Sequence, residues 1–338
     1  MTIGLYDVDS HGFPNIALMK ISAYHKKRGD QVEFLCESRC SYDKIYVSKI
    51  FSDEYSEMTI SPIMLEAMAD EVVYGGTGFA ITVKDGREVY DPKKDKPLSP
   101  EIEQCYPDYS LYADLTKDTV YGFLTRGCPN NCGFCIVSGK EGRCSVKVAD
   151  LADWWKGQKK IVLMDSNILA CRDRVDLLNQ LAYSGAEVEF NGGLDARFID
   201  EEVCEILKRI KTKMVHFAFD FMHNEDKIRK GLVTYKRIVK PNGRKAVVYI
   251  LTNYDTTFEQ DMYRVRFVQS LGFTPDIRIY RKKTAPRITR WLQRWCNNRF
   301  IYQTCDFYDY VPLSNGKTIR QLLEEKNDTS RKLYRNDG

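Results

Sequence analysis

The sequence predicts an α/β protein with parallel sheets in two successive regions. Three observations carry that reading. Short apolar runs alternate with amphipathic stretches of helical period along most of the 338 residues, the pattern of strands joined by crossover helices. Glycine-rich turns close several of the runs, as at Gly75-Gly76-Thr77-Gly78 and Asn191-Gly192-Gly193. Hydrophobic residues make up 43% of the chain, enough for a sizeable core, and the length fits two domains or one large domain with an appendage.

Residues 1–110 read as a small α/β domain. Strands are expected at 2–8, 31–36, 44–48 and 71–74. A helix is expected over 15–27, with Gly29 as its C-terminal stop. Residues 90–118 read as a linker, because Asp91-Pro92-Lys93-Lys94-Asp95-Lys96-Pro97 is charged and proline-broken. From 120 onward, strands are expected at 120–124, 160–164, 187–190, 214–219, 246–251 and 276–280. Helices are expected between them at 148–156, 172–183, 201–210, 225–239 and 259–271. The domains are therefore placed at 1–110, 111–285 and 286–338. The last is a helical extension. Between Arg281 and Arg299 the chain holds seven Lys/Arg and no acid, with Trp291 and Trp295 on one helical face.

The formal net charge is +4, too small to decide a partner. No apolar run reaches the roughly 18–20 residues that span a bilayer, so no membrane partner is expected. The first residues run straight into a strand-like segment without a signal-peptide pattern, and a cytoplasmic location is expected. Eleven cysteines is many, and in a reducing cytosol they stay thiols or bind metal. Cys36 and Cys40 form an isolated pair, and most of the scattered cysteines read as small buried hydrophobes.

Three cysteines stand apart. The segment Leu124-Thr125-Arg126-Gly127-Cys128-Pro129-Asn130-Asn131-Cys132-Gly133-Phe134-Cys135 spaces them as Cys-x-x-x-Cys-x-x-Cys, just after an apolar strand. Structural zinc wants four ligands and an all-protein iron–sulfur cubane four thiolates. Three thiolates leave one corner open for a small molecule. The physical reading is a [4Fe–4S] cluster on Cys128, Cys132 and Cys135, with Gly127 and Gly133 letting the loop wrap closely. The alternative is zinc completed by a distant Cys or His, in a nucleic-acid-binding module gripping phosphates through the basic aromatic tail.

This spacing, with an aromatic residue before the last cysteine, resembles the signature of the radical S-adenosylmethionine superfamily. The resemblance implies a partial (β/α)6 TIM-like barrel over about 120–280, with functional groups at the C-terminal strand ends. It implies an enzyme that reductively cleaves S-adenosylmethionine at the cluster. The resulting 5′-deoxyadenosyl radical abstracts hydrogen from a substrate the sequence does not identify. It also implies an external one-electron donor of flavodoxin or ferredoxin type. Cosubstrate contacts are expected from Asp165 and Asn167 after the second strand, Arg197 after the third, Asp220 after the fourth and Asn253 after the fifth.

The first region resembles the cobalamin-binding-like, flavodoxin-like domain that precedes the barrel in many members. Asp9-Ser10-His11 lies in the first loop, Ser48-Lys49-Ile50 after the third strand and Gly75-Gly76 after the fourth. In members that bind cobalamin base-off, the first loop reads Asp-x-His-x-x-Gly and its histidine ligates cobalt. Here Pro14 stands where that glycine would be, so weak cobalamin binding or none is expected.

Overall fold

The computed structural model describes residues 1–36, 41–84, 87–242, 245–313 and 315–325. The chain packs as two units, residues 1–191 and 192–338. Cys40, half of the isolated cysteine pair, lies outside the described residues.

The first unit opens with a four-stranded parallel sheet. Its strands are β1 (Thr2–Asp7), β2 (Gln31–Phe34), β3 (Tyr42–Ser48) and β4 (Ala69–Gly75), in the order β2-β1-β3-β4. Helix α1 (Ile16–Lys27) crosses from β1 to β2, and α2 (Pro62–Met68) leads into β4. Asn15 caps α1 by accepting the amide of Leu18. Ile3, Leu5, Leu18, Ile21, Tyr46 and Ile102 form one apolar cluster; Tyr42, Ile45, Val47, Ile60 and Leu65 form a second. The strand order reverses between β1 and β3. In open α/β sheets, that reversal opens a crevice at the carboxyl ends of the strands.

A hairpin, β5 (Ile81–Lys84) with β6 (Arg87–Tyr90), follows. The segment expected to be a solvated linker is instead packed. It carries two short helices, α3 (Pro100–Glu103) and α4 (Ala113–Thr116). Lys20 on α1 reaches Glu103, while Ser22 and Lys26 both donate to Asp108 at 2.6 Å. Carboxylates beyond the proline-broken run, Glu103 and Asp108, fasten the segment to α1. No packing boundary falls at 110; the division between units comes at 191 and 192.

The unit ends in a second parallel sheet. Strands β7 (Thr119–Gly122), β10 (Lys160–Leu163) and β11 (Glu187–Phe190) pair in the order β11-β10-β7. Between β7 and β10 lie the short ladder β8 (Thr125–Arg126) with β9 (Val146–Lys147), and helices α5 (Val137–Lys140) and α6 (Leu151–Trp154). Helix α7 (Arg174–Ser184) joins β10 to β11 and ends at Gly185 in the left-handed conformation.

The second unit carries a three-stranded parallel sheet, β12 (Val215–Ala218), β13 (Ala246–Thr252) and β14 (Thr274–Ile279). Helix α8 (Glu201–Leu207) precedes it, α9 (Glu225–Val239) and α10 (Phe258–Ser270) are its crossovers, and α11 (Arg287–Asn297) and α12 (Arg299–Thr304) follow. Phe217, Phe219, Val248, Ile277, Leu292, Trp295 and Phe307 are buried. All six strands expected after residue 120 are present, as three-stranded ladders in separate units. Among the described residues these ladders do not close into a barrel. No helix of the described residues is long and apolar enough to cross a membrane.

Candidate functional site

The three-cysteine loop is built on the end of β7. Three residues past Gly122 the chain enters β8, whose pairing with β9 puts Thr125 opposite Lys147 and Arg126 opposite Val146. That ladder ties off residues 127–145 at their base. Within the loop the amide of Cys128 donates to the Gly142 carbonyl at 3.1 Å, and that of Cys135 to the Cys132 carbonyl at 3.0 Å. Gly127 has φ +89°, and a Cβ there would stand 2.1 Å from the Cys144 carbonyl oxygen. Only glycine fits this close approach.

Glu141 is the hub of the loop. It accepts Arg126 at 2.8 Å, the Gly127 amide at 3.1 Å and the Ser166 hydroxyl at 3.1 Å. Burial pushes its carboxyl up, but the Gly127 amide and Arg126 outweigh burial and hold it below the usual range. The Arg126 guanidinium also lies 3.4 Å from the centroid of the Phe123 ring.

Burial raises the Cys135 thiol above its ordinary value, and Cys128 and Glu141 add to the effect. Without a metal the Cys135 sulfur favours the thiol form; a bound cation would draw off its proton. Among the described residues, no three His, Cys, Asp or Glu side chains converge tightly enough to hold a single metal ion. A cubane is larger than one ion and spreads its thiolates over separate irons. The donor set of three cysteines on one loop fits such a cluster and leaves one iron for an outside ligand.

Asp165 and Asn167 stand at the carboxyl end of β10, beside this loop. Asp165 is 3% exposed. It accepts the amides of Leu124 at 2.9 Å and Thr125 at 2.6 Å, together with the Thr125 hydroxyl. Burial pushes its carboxyl up to about 6 against these donors. Its side chain therefore anchors the strand leading into the cysteine loop. A carboxylate has about four lone-pair sites, so three donors leave room for one more. Asn167 caps a short 3-10 turn by accepting the Ala170 amide at 3.2 Å, and its Nδ2 points at Cys128 Sγ at 3.6 Å. Ser145 fastens the other end of the loop, donating to the Asn167 carbonyl at 2.8 Å.

Arg197, Asp220 and Asn253 belong to the second unit. Arg197 donates from Nε and a terminal nitrogen to Asp195 at 2.8 and 2.6 Å, so two donors of its fork are already engaged. Asp220 accepts the Leu251 amide at 3.1 Å, and burial raises its carboxyl. Asn253, at φ +59°, donates to the Tyr280 carbonyl at 2.7 Å and ties the ends of β13 and β14 together.

Two residues that matter here escaped the sequence reading. Glu141 lies in a stretch with no motif. Arg264 sits in α10, where a charged residue reads as solvent-facing, yet it is fully buried. It pairs with Asp261 and donates to the carbonyls of Asp220 at 3.0 Å and Leu251 at 2.9 Å. Burial lowers its affinity for its proton and raises that of Asp261.

The first unit also carries a half-open cavity of about 700 Å³, within the range of small-molecule sites. Asn15, Ser48 and Ile50 line it from the strand-order reversal of the first sheet; Phe123, Arg126 and Met164 line it from the side of the cysteine loop. Asn15 Nδ2 donates to Ser48 Oγ at 2.9 Å. His11 is exposed, at φ +42°, and stacks on Phe51 with centroids 6.3 Å apart. Asp9 gives both oxygens to the amides of Ile50 and Phe51. A Cβ on Gly76 would stand 2.3 Å from the Lys49 carbonyl oxygen, so backbone packing alone requires that glycine.

No family model matches the chain, and no curated protein matches it. Among solved structures, its fold is similar to that of the radical S-adenosylmethionine methyltransferase TsrM from Kitasatospora setae, determined with cobalamin and a [4Fe–4S] cluster bound. The TM-score is 0.58 at 14% identity, over 82% of this chain and 74% of that one.

Proposed function

We propose that the chain is a radical S-adenosylmethionine enzyme built on a partial (β/α)6 barrel, with its cluster on Cys128, Cys132 and Cys135. The observation that carries this reading is the loop itself. Three cysteines stand on one segment just beyond the first strand of a parallel sheet, hinged at Gly127 and braced by Glu141, Asp165 and Asn167. The similarity of fold to a cluster-bearing methyltransferase supports it. Cys128, Cys132 and Cys135 would hold the cluster, which would supply one-electron chemistry for cleaving S-adenosylmethionine to a 5′-deoxyadenosyl radical, fed by an external flavodoxin- or ferredoxin-type donor.

The residues of this chain hold and orient. Asp165 fixes the backbone that delivers Cys128, and its remaining lone pair is proposed to accept the cosubstrate ammonium group. Asn167 donates toward Cys128 Sγ, which lowers the charge on a thiolate there. Arg197, Asp220 and Asn253 are proposed to meet the carboxylate, ribose and adenine of the cosubstrate. The cavity adjoining Phe123, Arg126 and Met164 is the proposed seat of the molecule that loses hydrogen. Histidine-ligated cobalamin does not fit: Asp9 is committed to the Ile50 and Phe51 amides, and Pro14 occupies the expected glycine position.

The test is anaerobic reconstitution with iron and sulfide, then reduction in the presence of S-adenosylmethionine. Wild-type protein should be brown and release 5′-deoxyadenosine. Cys132→Ala should do neither, whereas Cys144→Ala should do both. A colourless protein carrying one zinc, or wild-type turnover by Cys132→Ala, overturns the reading.

A further inference from the structure

We propose that the exposed arginine face of α11 is a binding surface for single-stranded nucleic acid. Arg287, Arg290 and Arg294 follow helical spacing and are all exposed. The opposite face, Thr289, Leu292, Trp295 and Cys296, is buried, and Trp295 donates to the Cys305 carbonyl at 3.0 Å. The Trp295 side of the helix thus closes the core of its own unit, and the basic side is left to solvent.

The pairing of charges separates this face from an ordinary solvated one. Elsewhere in the same unit, arginines meet carboxylates: Arg229 with Glu225, Arg237 with Glu201, Arg266 with Asp306, Arg278 with Asp276 and Arg320 with Asp309. On α11, among the described residues, none of the three does. Arg294 reaches only the Pro312 carbonyl, at 3.4 Å, and Arg287 lies over the Trp291 ring at 5.7 Å. Arg299 follows in the next helix, again without an acid.

The dimensions suit a nucleic-acid strand. At 1.5 Å per residue, Arg287 and Arg294 are about 10 Å apart along the helix. A strand rising 3.4 Å per nucleotide passes about three phosphates over that distance. Guanidinium forks match phosphate oxygens bidentately. Phe300, 84% exposed at the start of α12, offers a face on which a base can stack. A membrane surface is disfavoured, because the apolar face an interfacial helix would insert is already buried. The inference names a partner class that the radical reading does not, and stands on residues separate from the cysteine loop.

The test titrates the full chain against fluorescein-labelled single-stranded RNA and DNA oligonucleotides of mixed sequence, by anisotropy at several salt concentrations. Binding to either should weaken steeply with salt, and the two arms show which sugar is preferred. Changing Arg287, Arg290 and Arg294 together to Gln should weaken binding at least roughly tenfold and flatten the log–log salt slope by about 2. Phe300→Ala should weaken binding with the slope unchanged. If the triple variant fails to fold by circular dichroism, Arg290→Gln alone should flatten the slope by about 0.7. Unchanged affinity and slope in the folded variant, or binding to phosphatidylserine vesicles but to neither oligonucleotide, overturns the proposal. 5′-Deoxyadenosine release, measured in parallel, reports on the cluster reading separately.

Discussion

The carboxylate of Glu141 accepts the backbone amide of Gly127 at 3.1 Å, immediately before the first cysteine of the loop. The same carboxylate holds Arg126 and Ser166, so one side chain joins the entry of the loop, its exit and the end of β10. Removing it leaves the Gly127 amide and a half-buried guanidinium without their acceptor. Glu141→Ala should cost about 1–3 kcal/mol of stability and let iron escape the reconstituted protein faster. Chemical denaturation and iron retention after gel filtration check this. Wild-type values in both would make Glu141 a bystander.

Asp165 gives the chain a pH dependence of definite sign. Burial pushes its carboxyl from an ordinary 3.8 up to about 6 in the folded protein. Between those values the folded state holds a proton that the unfolded state has released. Its contribution is therefore complete below 3.8 and lost as pH rises through about 6, at a cost of about 3 kcal/mol. Glu141, held below its usual range, works in the opposite direction, so the effect is read as a difference. The stability of wild-type apo-protein minus that of Asp165→Asn should fall as pH rises across this window. A difference that is flat or rises with pH sinks the assignment.

The strands after residue 120 were legible because each is a short apolar run bounded by polar turns, the mark of a strand buried in a parallel sheet. The cysteine loop stood out because the Cys-x-x-x-Cys-x-x-Cys spacing is local. What supports the loop did not. The donors to Asp165 lie 40 and 41 residues upstream, and no local pattern relates them. The linker misread has the same origin. Lys20, Lys26, Glu103 and Asp108 look like solvating charges until the fold places 103 and 108 against α1. Helix α2 was missed although Ser61-Pro62 is an ordinary helix start, because seven residues are too few for the periodicity to show.

Arg264 tests how the strand ends of the second unit are held. It is fully buried, paired with Asp261, and bonded to carbonyls from the ends of β12 and β13. Arg264→Leu removes the cation but leaves Asp261 buried, and breaking a buried pair costs about 3–5 kcal/mol. Hydrogen exchange should quicken first at the amide of Leu251, which donates to Asp220. Global destabilisation below about 1 kcal/mol, with that amide still protected, would falsify a stapling role.

His11 decides the cobalamin question. It is exposed and stacked on Phe51, and the carboxylate of Asp9 that precedes it is spent on the amides of Ile50 and Phe51. A histidine that ligates a metal normally has its other ring nitrogen fixed by such a partner. Pro14, at the cavity wall, has a fixed φ and no backbone donor. The expected outcome is that purified protein incubated with hydroxocobalamin retains little or none after gel filtration. Whatever is retained should have the same visible spectrum in wild type and His11→Ala. Stoichiometric retention with a spectrum that shifts in His11→Ala would show the first loop to be a working cobalt site. The 700 Å³ cavity would then belong to the corrinoid, and the reaction would move toward methyl transfer.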